Sequence, residues 1–305
     1  MNILVTGGCG FIGSHIVDAY IGSGHKVWII DNLSTGDLRN LNPKAELIQK
    51  NIEDSDIEEI FKRVQFDVIN HHAAQINVRI SVDDPLLDAK INIMGSLNLL
   101  FLGMKYHAKR FIFASSGGTV YGEPDQLPIT EEFVIDPSSP YGISKATTEK
   151  YLTLYAKLYD FDCVILRYSN VYGPRQISKS EAGVISIFIE CILKQKKCTV
   201  FGDGEQTRDY VYVGDVVAAN TAALGCKSDV FNIGTGIETS VNDLIDILSK
   251  ITKKDIDHQH DDPRPGEVLR NVLDNTRVKN AINWHPGISL EQGIRKTFEY
   301  FKEIS

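Results

Sequence analysis

Tyr141 and Lys145 stand four residues apart in the run Ser139-Pro140-Tyr141-Gly142-Ile143-Ser144-Lys145. Side chains at i and i+4 share one face of a helix, so an ammonium can sit beside a phenol there. Such a pair suits removal of a proton from a hydroxyl. A phenol titrates near pH ~10 and is a weak base at neutral pH, but a cation within reach lowers its pKa by roughly 1–3 units. Pro140 fits the first helical position and Ser138 or Ser139 can cap it. Tyr141 then falls in the first turn, where the positive end of the helix dipole also favours phenolate. Tyr-x-x-x-Lys also arises by chance on amphipathic helices, so its weight depends on the residues that accompany it.

Thr6-Gly7-Gly8-Cys9-Gly10-Phe11-Ile12-Gly13 follows the apolar run Ile3-Leu4-Val5 and reads as a strand, a tight turn and the start of a helix. Glycines at 7, 10 and 13 let the backbone approach a pyrophosphate, whose charge meets the helix N-terminus. Asp31 closes the next apolar run, 18 residues after Gly13. A carboxylate there accepts hydrogen bonds from ribose hydroxyls and repels a 2′-phosphate. The first basic residue beyond it is Arg39, so the expected cofactor is NAD rather than NADP. Together the turn, the acid and the Tyr141/Lys145 pair point to hydride chemistry at a carbinol carbon.

Positioning these groups falls to alternating elements. Ile3–Val5, Val27–Ile30, Leu47-Ile48, Val68-Ile69, Phe111–Phe113 and Val164–Leu166 read as short strands, with long helices over Asp88–Tyr106 and Tyr141–Tyr159. Strand and helix in alternation predict an α/β fold with a doubly wound parallel sheet of Rossmann type. After Tyr172 the pattern turns irregular, around Gly173-Pro174-Arg175, Gly202-Asp203-Gly204 and Pro263-Arg264-Pro265-Gly266, which predicts a smaller mixed C-terminal lobe. The expected division is a cofactor domain over 1–172, with segments near 205–236 returning to it, and a substrate lobe over 173–305.

A chain of 305 residues can bury a core of this size, and its net charge of -8 disfavours nucleic acid and anionic membrane as partners. No basic leader precedes the first strand and no apolar run approaches ~18 residues, so a cytoplasmic protein is expected. The five cysteines are scattered, without a C-x-x-C pair, and read as free thiols. Neither His71-His72 nor His258-x-His260 has the spacing of a zinc centre, and no metal is expected.

With these motifs in order, the chain resembles the extended short-chain dehydrogenases/reductases that act on nucleotide sugars, the NAD-dependent epimerase and dehydratase group. The resemblance spans nearly the whole chain. It rests further on Asp31-Asn32-Leu33-Ser34-Thr35-Gly36, His72-Ala73-Ala74-Gln75 and Ser115-Ser116-Gly117-Gly118-Thr119-Val120-Tyr121-Gly122. Leu166-Arg167-Tyr168-Ser169-Asn170-Val171-Tyr172-Gly173-Pro174-Arg175, Arg208-Asp209-Tyr210, Phe231–Gly236 and Arg264-Pro265-Gly266-Glu267 complete it.

The resemblance implies roles that spacing does not. Phe11 and Ile12 would contact the cofactor diphosphate, Asp31, Asn32 and the Ser34-Thr35-Gly36 loop the adenosine ribose, and Asn51 and Ile52 the adenine. Ala73, Ala74, Gln75, Asn92, Ser115 and Tyr168 would line the rest of the dinucleotide path. Asn170, Arg208 and Arg264 would clamp the substrate diphosphate, with Glu267 in the same motif, and Val184, Thr199 and Phe201 would surround uridine. The implied reaction is C4 epimerisation of a UDP-hexose through a 4-keto sugar, by a homodimer joined through the two long helices.

Two positions depart from the family pattern. Gly117 stands where many members carry a serine that bonds the sugar O4; Thr119, Ser116, a water or Tyr141 itself could take its place. Asn51 stands where aspartate is common. The loop before Val120-Tyr121-Gly122 lacks the Asp-Glu pair of 4,6-dehydratases. Glucuronate epimerases and decarboxylases need a cationic clamp, for which Arg175 and Lys179 are the candidates. Asn271 lies where the family gates the C2 substituent, and its small size leaves room for N-acetylated sugars. Outside catalysis, the missing serine would suit a NAD-binding sensor, although such a protein has no need of Tyr141 and Lys145.

Overall fold

The computed structural model describes residues 1–177, 183–263 and 268–304. Seven strands form one parallel sheet: β1 (Asn2–Thr6), β2 (Lys26–Ile30), β3 (Glu46–Ile48), β4 (Val68–His71), β5 (Arg110–Ser116), β6 (Asp162–Tyr168) and a last strand contributed by Asp229–Ile233. Their spatial order is β3-β2-β1-β4-β5-β6 followed by the last strand. The order reverses between β1 and β4, and a crevice opens outside the carboxyl ends of the strands at such a reversal. Thr6 and His71, register partners on those two strands, lead directly into the glycine turn and into Ala73.

The strands read as unbroken apolar runs because helices cover both faces. On one face α1 (Phe11–Gly22) packs over Ile3, Val5, Val27 and Ile112; on the other Leu4, Ile69, Phe111 and Phe113 meet α2 (Glu58–Arg63) and later helices. After α3 (Val78–Asp83), the helix expected over Asp88–Tyr106 is in fact three pieces. They are α4 (Pro85–Ala89), a wide π-type turn over Lys90–Gly95, and α5 (Ser96–Lys105). The whole run is long and apolar enough by composition to cross a membrane, which differs from the reading of the sequence. Its apolarity has another use: Leu99, Leu100 and Leu102 are buried in the core between α5 and the sheet. The other long helix, α6 (Pro140–Leu158), lies beside it, capped by Ser139, whose Oγ accepts from the Gly142 N–H at 3.1 Å, with Pro140 in the first position.

The remaining elements are β7 (Asn170–Tyr172), α7 (Val184–Leu193), β8 (Cys198–Phe201), β9 (Thr207–Arg208), β10 (Tyr210–Tyr212) and α8 (Val213–Ala223). Beyond Asp229–Ile233, which we label β11, come β12 (Thr239–Ser240), α9 (Val241–Thr252), β13 (His258–Asp261), α10 (Thr276–Ile282) and α11 (Leu290–Ile304). A separate core of Ile185, Phe188, Ile189, Val200, Leu244 and Leu248 joins α7, β8 and α9. By contrast α8 packs back on α1, with Val216, Ala219 and Ala223 in the core of the main sheet.

Candidate active site

Backbone contact explains the glycine turn. Gly7 has φ +69° and lies so close to the next loop that a Cβ would stand 2.8 Å from the Ala73 nitrogen; one on Gly13 would stand 2.2 Å from the Gly7 carbonyl oxygen. Gly10 caps α1 with no side chain, so no N-cap side chain competes for the first amides of the helix, at Phe11 and Ile12. That is a cradle an anion fits. Asp31 accepts from the Cys9 N–H at 2.9 Å and the Leu33 N–H at 2.8 Å, tying the end of β2 to the turn. Gly36 approaches its carboxylate so closely that a Cβ would meet it at 2.8 Å. Asn32 donates to Asn51 Oδ1 at 3.0 Å and accepts from the Ser34 N–H at 2.9 Å. Ile52 is buried, its carbonyl accepting from Asn98 at 2.9 Å. Ser34 and Thr35 remain exposed. A bare anion cradle beside a carboxylate at the strand end fits NAD.

Past the crevice, Thr6 Oγ1 accepts from the Ala73 N–H at 3.1 Å, and Ala74 leads into Gln75, which exchanges two hydrogen bonds with Asn92 at 2.9 and 2.8 Å. Tyr168 stacks on His72, their centroids 5.9 Å apart, and its hydroxyl meets His72 Nε2 at 3.0 Å and Asn220 Nδ2 at 2.8 Å. Burial and the Lys145 charge hold His72 neutral, its pKa pushed down to about 3. The Ser115 hydroxyl donates to Glu149, so its side chain is engaged within the protein.

Lys145 is buried behind Tyr141. Its Nζ donates to the Ala114 carbonyl at 2.9 Å and lies 4.8 Å from the centre of the Phe113 ring and 5.7 Å from that of Tyr141. Burial lowers the ammonium to about 8, opposed by Asp88 and Glu149. The Tyr141 phenol is raised, first by burial and then by Asp88, while a hydrogen bond from Ser116 favours the phenolate. This is opposite to the direction expected from a neighbouring cation alone. Burial, with Asp88 beside it, sets the direction. Thr119 Oγ1 and Asn271 Oδ1 are buried with no partner among the described residues, and Asn271 Nδ2 reaches the Gly117 carbonyl at 3.4 Å. Gly117 has a packing reason: a Cβ there would lie 2.5 Å from Leu273 Cδ1, so Leu273 fills the space of the expected serine.

In the second lobe, Asn170 and Tyr210 pair across β7 and β10, and Arg208 Nη1 donates to the Thr207 carbonyl at 2.8 Å. Val184 opens α7 and packs on the lobe's core, and Thr199 and Phe201 share the more accessible face of β8. Phe201 lines a cleft of about 1050 Å³ with Gln206, His260, Leu269 and Arg270. None of the Tyr141 group lines it. Arg264, Glu267 and Lys179 lie outside the described residues.

The sequence matches the family model of NAD dependent epimerases/dehydratases over residues 3–234. The chain belongs to this family. A UDP-glucose 4-epimerase of Mycolicibacterium smegmatis is 41% identical over 312 residues, covering 100% of both chains. The crystal structure of the Thermotoga maritima UDP-glucose 4-epimerase with UDP-glucose is 48% identical, with a TM-score of 0.97 over 100% of this chain and 99% of that one. UDP-N-acetylglucosamine 4-epimerase from Methanobrevibacter ruminantium M1, in complex with UDP-N-acetylmuramic acid, is 38% identical, with a TM-score of 0.95 over 100% and 99%.

The family motifs also acquire structural reasons. The Arg167 guanidinium in the β6 motif makes a bidentate pair with Glu149, both almost fully buried, and donates to Tyr121 at 2.6 Å. Asp209 accepts from the Thr235 N–H and hydroxyl, the Gly236 N–H and the Leu273 N–H, joining its own motif to Phe231–Gly236 and to a third, distant segment. Two residues escaped the sequence reading. Leu273 gave no signal. Asp88 gave one, as a lone acid following Pro85-Leu86-Leu87 on an apolar helix.

Proposed function

We propose that the chain inverts C4 of a UDP-hexose reversibly, interconverting UDP-glucose and UDP-galactose through a 4-keto sugar. The observation that carries this is the Tyr141 phenol bonded to Ser116, with Lys145 behind it, at the carboxyl end of the parallel sheet. NAD, when bound, accepts the C4 hydride and returns it. Tyr141 takes the O4 proton and gives it back, Lys145 supplies the positive charge that steadies the phenolate, and Ser116 holds the phenol oxygen. The Thr119 hydroxyl, without a partner among the described residues, is suited to bond the sugar where Gly117 offers none. The 4-keto sugar then turns over about its diphosphate link before hydride returns to its other face.

Gly7, Gly10, Gly13, Phe11 and Ile12 hold the cofactor diphosphate in this reading, and Asp31 the ribose. Asn170, Arg208 and Arg264 bind the substrate diphosphate, with the uracil near Thr199 and Phe201. Asn271 leaves space at C2, and a relative named for an N-acetylated substrate supports that breadth. Of the two candidates for a uronic-acid clamp, Arg175 pairs through Nη2 with Asp18 on α1 at 2.8 Å, and Lys179 lies outside the described residues. The protein acts in the cytoplasm as a homodimer through α5 and α6, whose outer faces expose Phe101 and Leu154.

The test is incubation with UDP-galactose without added cofactor, following UDP-glucose by chromatography. Conversion is expected. No conversion of any UDP-hexose after NAD is supplied would leave a non-catalytic NAD sensor as the better reading.

A further inference from the structure

Asp88, on α4, is fully buried against the inner face of α6. Its Oδ1 accepts from Asn92 Nδ2 at 2.8 Å and Gln75 Nε2 at 3.1 Å, and its Oδ2 from the Ser144 hydroxyl. Asn92 stands in the π-type turn, so one carboxylate joins that turn, the loop after β4 and the helix that carries Tyr141 and Lys145. Its hydrogen-bond donors are neutral. A buried carboxylate is costly unless a cation stands near it.

Two carboxylates act on the Lys145 ammonium, Asp88 first and Glu149 second. Glu149, one turn beyond Lys145, is occupied by Arg167 from β6. His71 and His72, at the end of β4, are kept neutral by burial and by Lys145. Ser116 on β5 carries no charge. We propose that Asp88 is the positioning residue of the Tyr141–Lys145 pair, fastening α6 through Ser144, Asn92 and Gln75 and standing as the counter-charge to the Lys145 ammonium. In consequence Asp88 raises the affinity of both groups for their protons. It keeps Lys145 charged at neutral pH at the expense of a less acidic phenol.

The kinetic test rests on the epimerase reading. In Asp88→Asn, both limbs of the pH profile of kcat/KM should move to lower pH, by about one unit or more. Ser144→Ala, which removes a hydrogen bond but no charge, should leave both limbs where the wild type has them. Limbs unmoved in folded Asp88→Asn, or a loss of rate equal at every pH, would overturn the proposal. Asp88→Ser reads the same charge removal, and failure of both neutral variants to fold would reduce Asp88 to architecture and overturn it too. If the wild type converts no UDP-hexose, the epimerase reading fails separately. The ultraviolet difference titration between NAD-bound protein and NAD-bound Tyr141→Phe then reports the phenol without turnover, and it should shift down when Asp88 is neutral.

Discussion

Tyr141 and Gly117 set the predictions at the scale of single residues. Removing the phenol oxygen in Tyr141→Phe takes away the base while keeping the ring that fills the site, so kcat should fall by about 10²–10⁴-fold with the fold intact by circular dichroism. Lys145 loses its charge as the pH rises through about 8, rather than near the usual lysine value. Tyr141 then takes the O4 proton without a cation beside it, so kcat/KM should decline on the alkaline side of about 8 in a pH series. Restoring the family serine should not help. A Cβ on Gly117 would collide with the fully buried Leu273, and Gly117→Ser should destabilise by about 1–3 kcal/mol in urea unfolding, with a lower rate rather than a higher one. Relief by adding Leu273→Ala would identify the collision as the cause.

Helices and strands explain what the sequence could and could not reveal. Strands β1, β2 and β4 to β6 were legible because a parallel strand covered on both faces must be apolar throughout. The α6 start was legible because Ser139-Pro140 combines a cap with a fitting first residue. The π-type turn was not, since Lys90–Gly95 keeps helical spacing of apolar residues and differs only in backbone hydrogen bonding. Nor was Leu273, whose importance comes wholly from what the fold brings to it, whereas Asp88 showed itself only as a lone acid on an apolar helix. The Glu149–Arg167 pair joins α6 to β6 in the interior. Glu149→Gln leaves Arg167 a buried charge without its carboxylate, and stability should fall by about 3–5 kcal/mol in chemical denaturation.

For the whole molecule, the exposed side chains Phe101 on α5 and Leu154 on α6 bear on the proposed dimer. A charge placed there should cost the monomer little and the assembly much. Leu154→Glu should therefore shift light scattering from dimer to monomer, and a wild-type monomer at micromolar concentration would refute the assembly. The order of the main sheet has a further consequence, for synthesis. Its outermost strand, Asp229–Ile233, is made after β8, β9 and β10, none of which belongs to that sheet. A chain emerging from the ribosome therefore carries β6, apolar from Cys163 to Leu166, as a bare edge while much of the second lobe is translated. Until Ile233 is free the nascent protein can pair that edge with a stranger, so a chaperone's protection matters most in this interval.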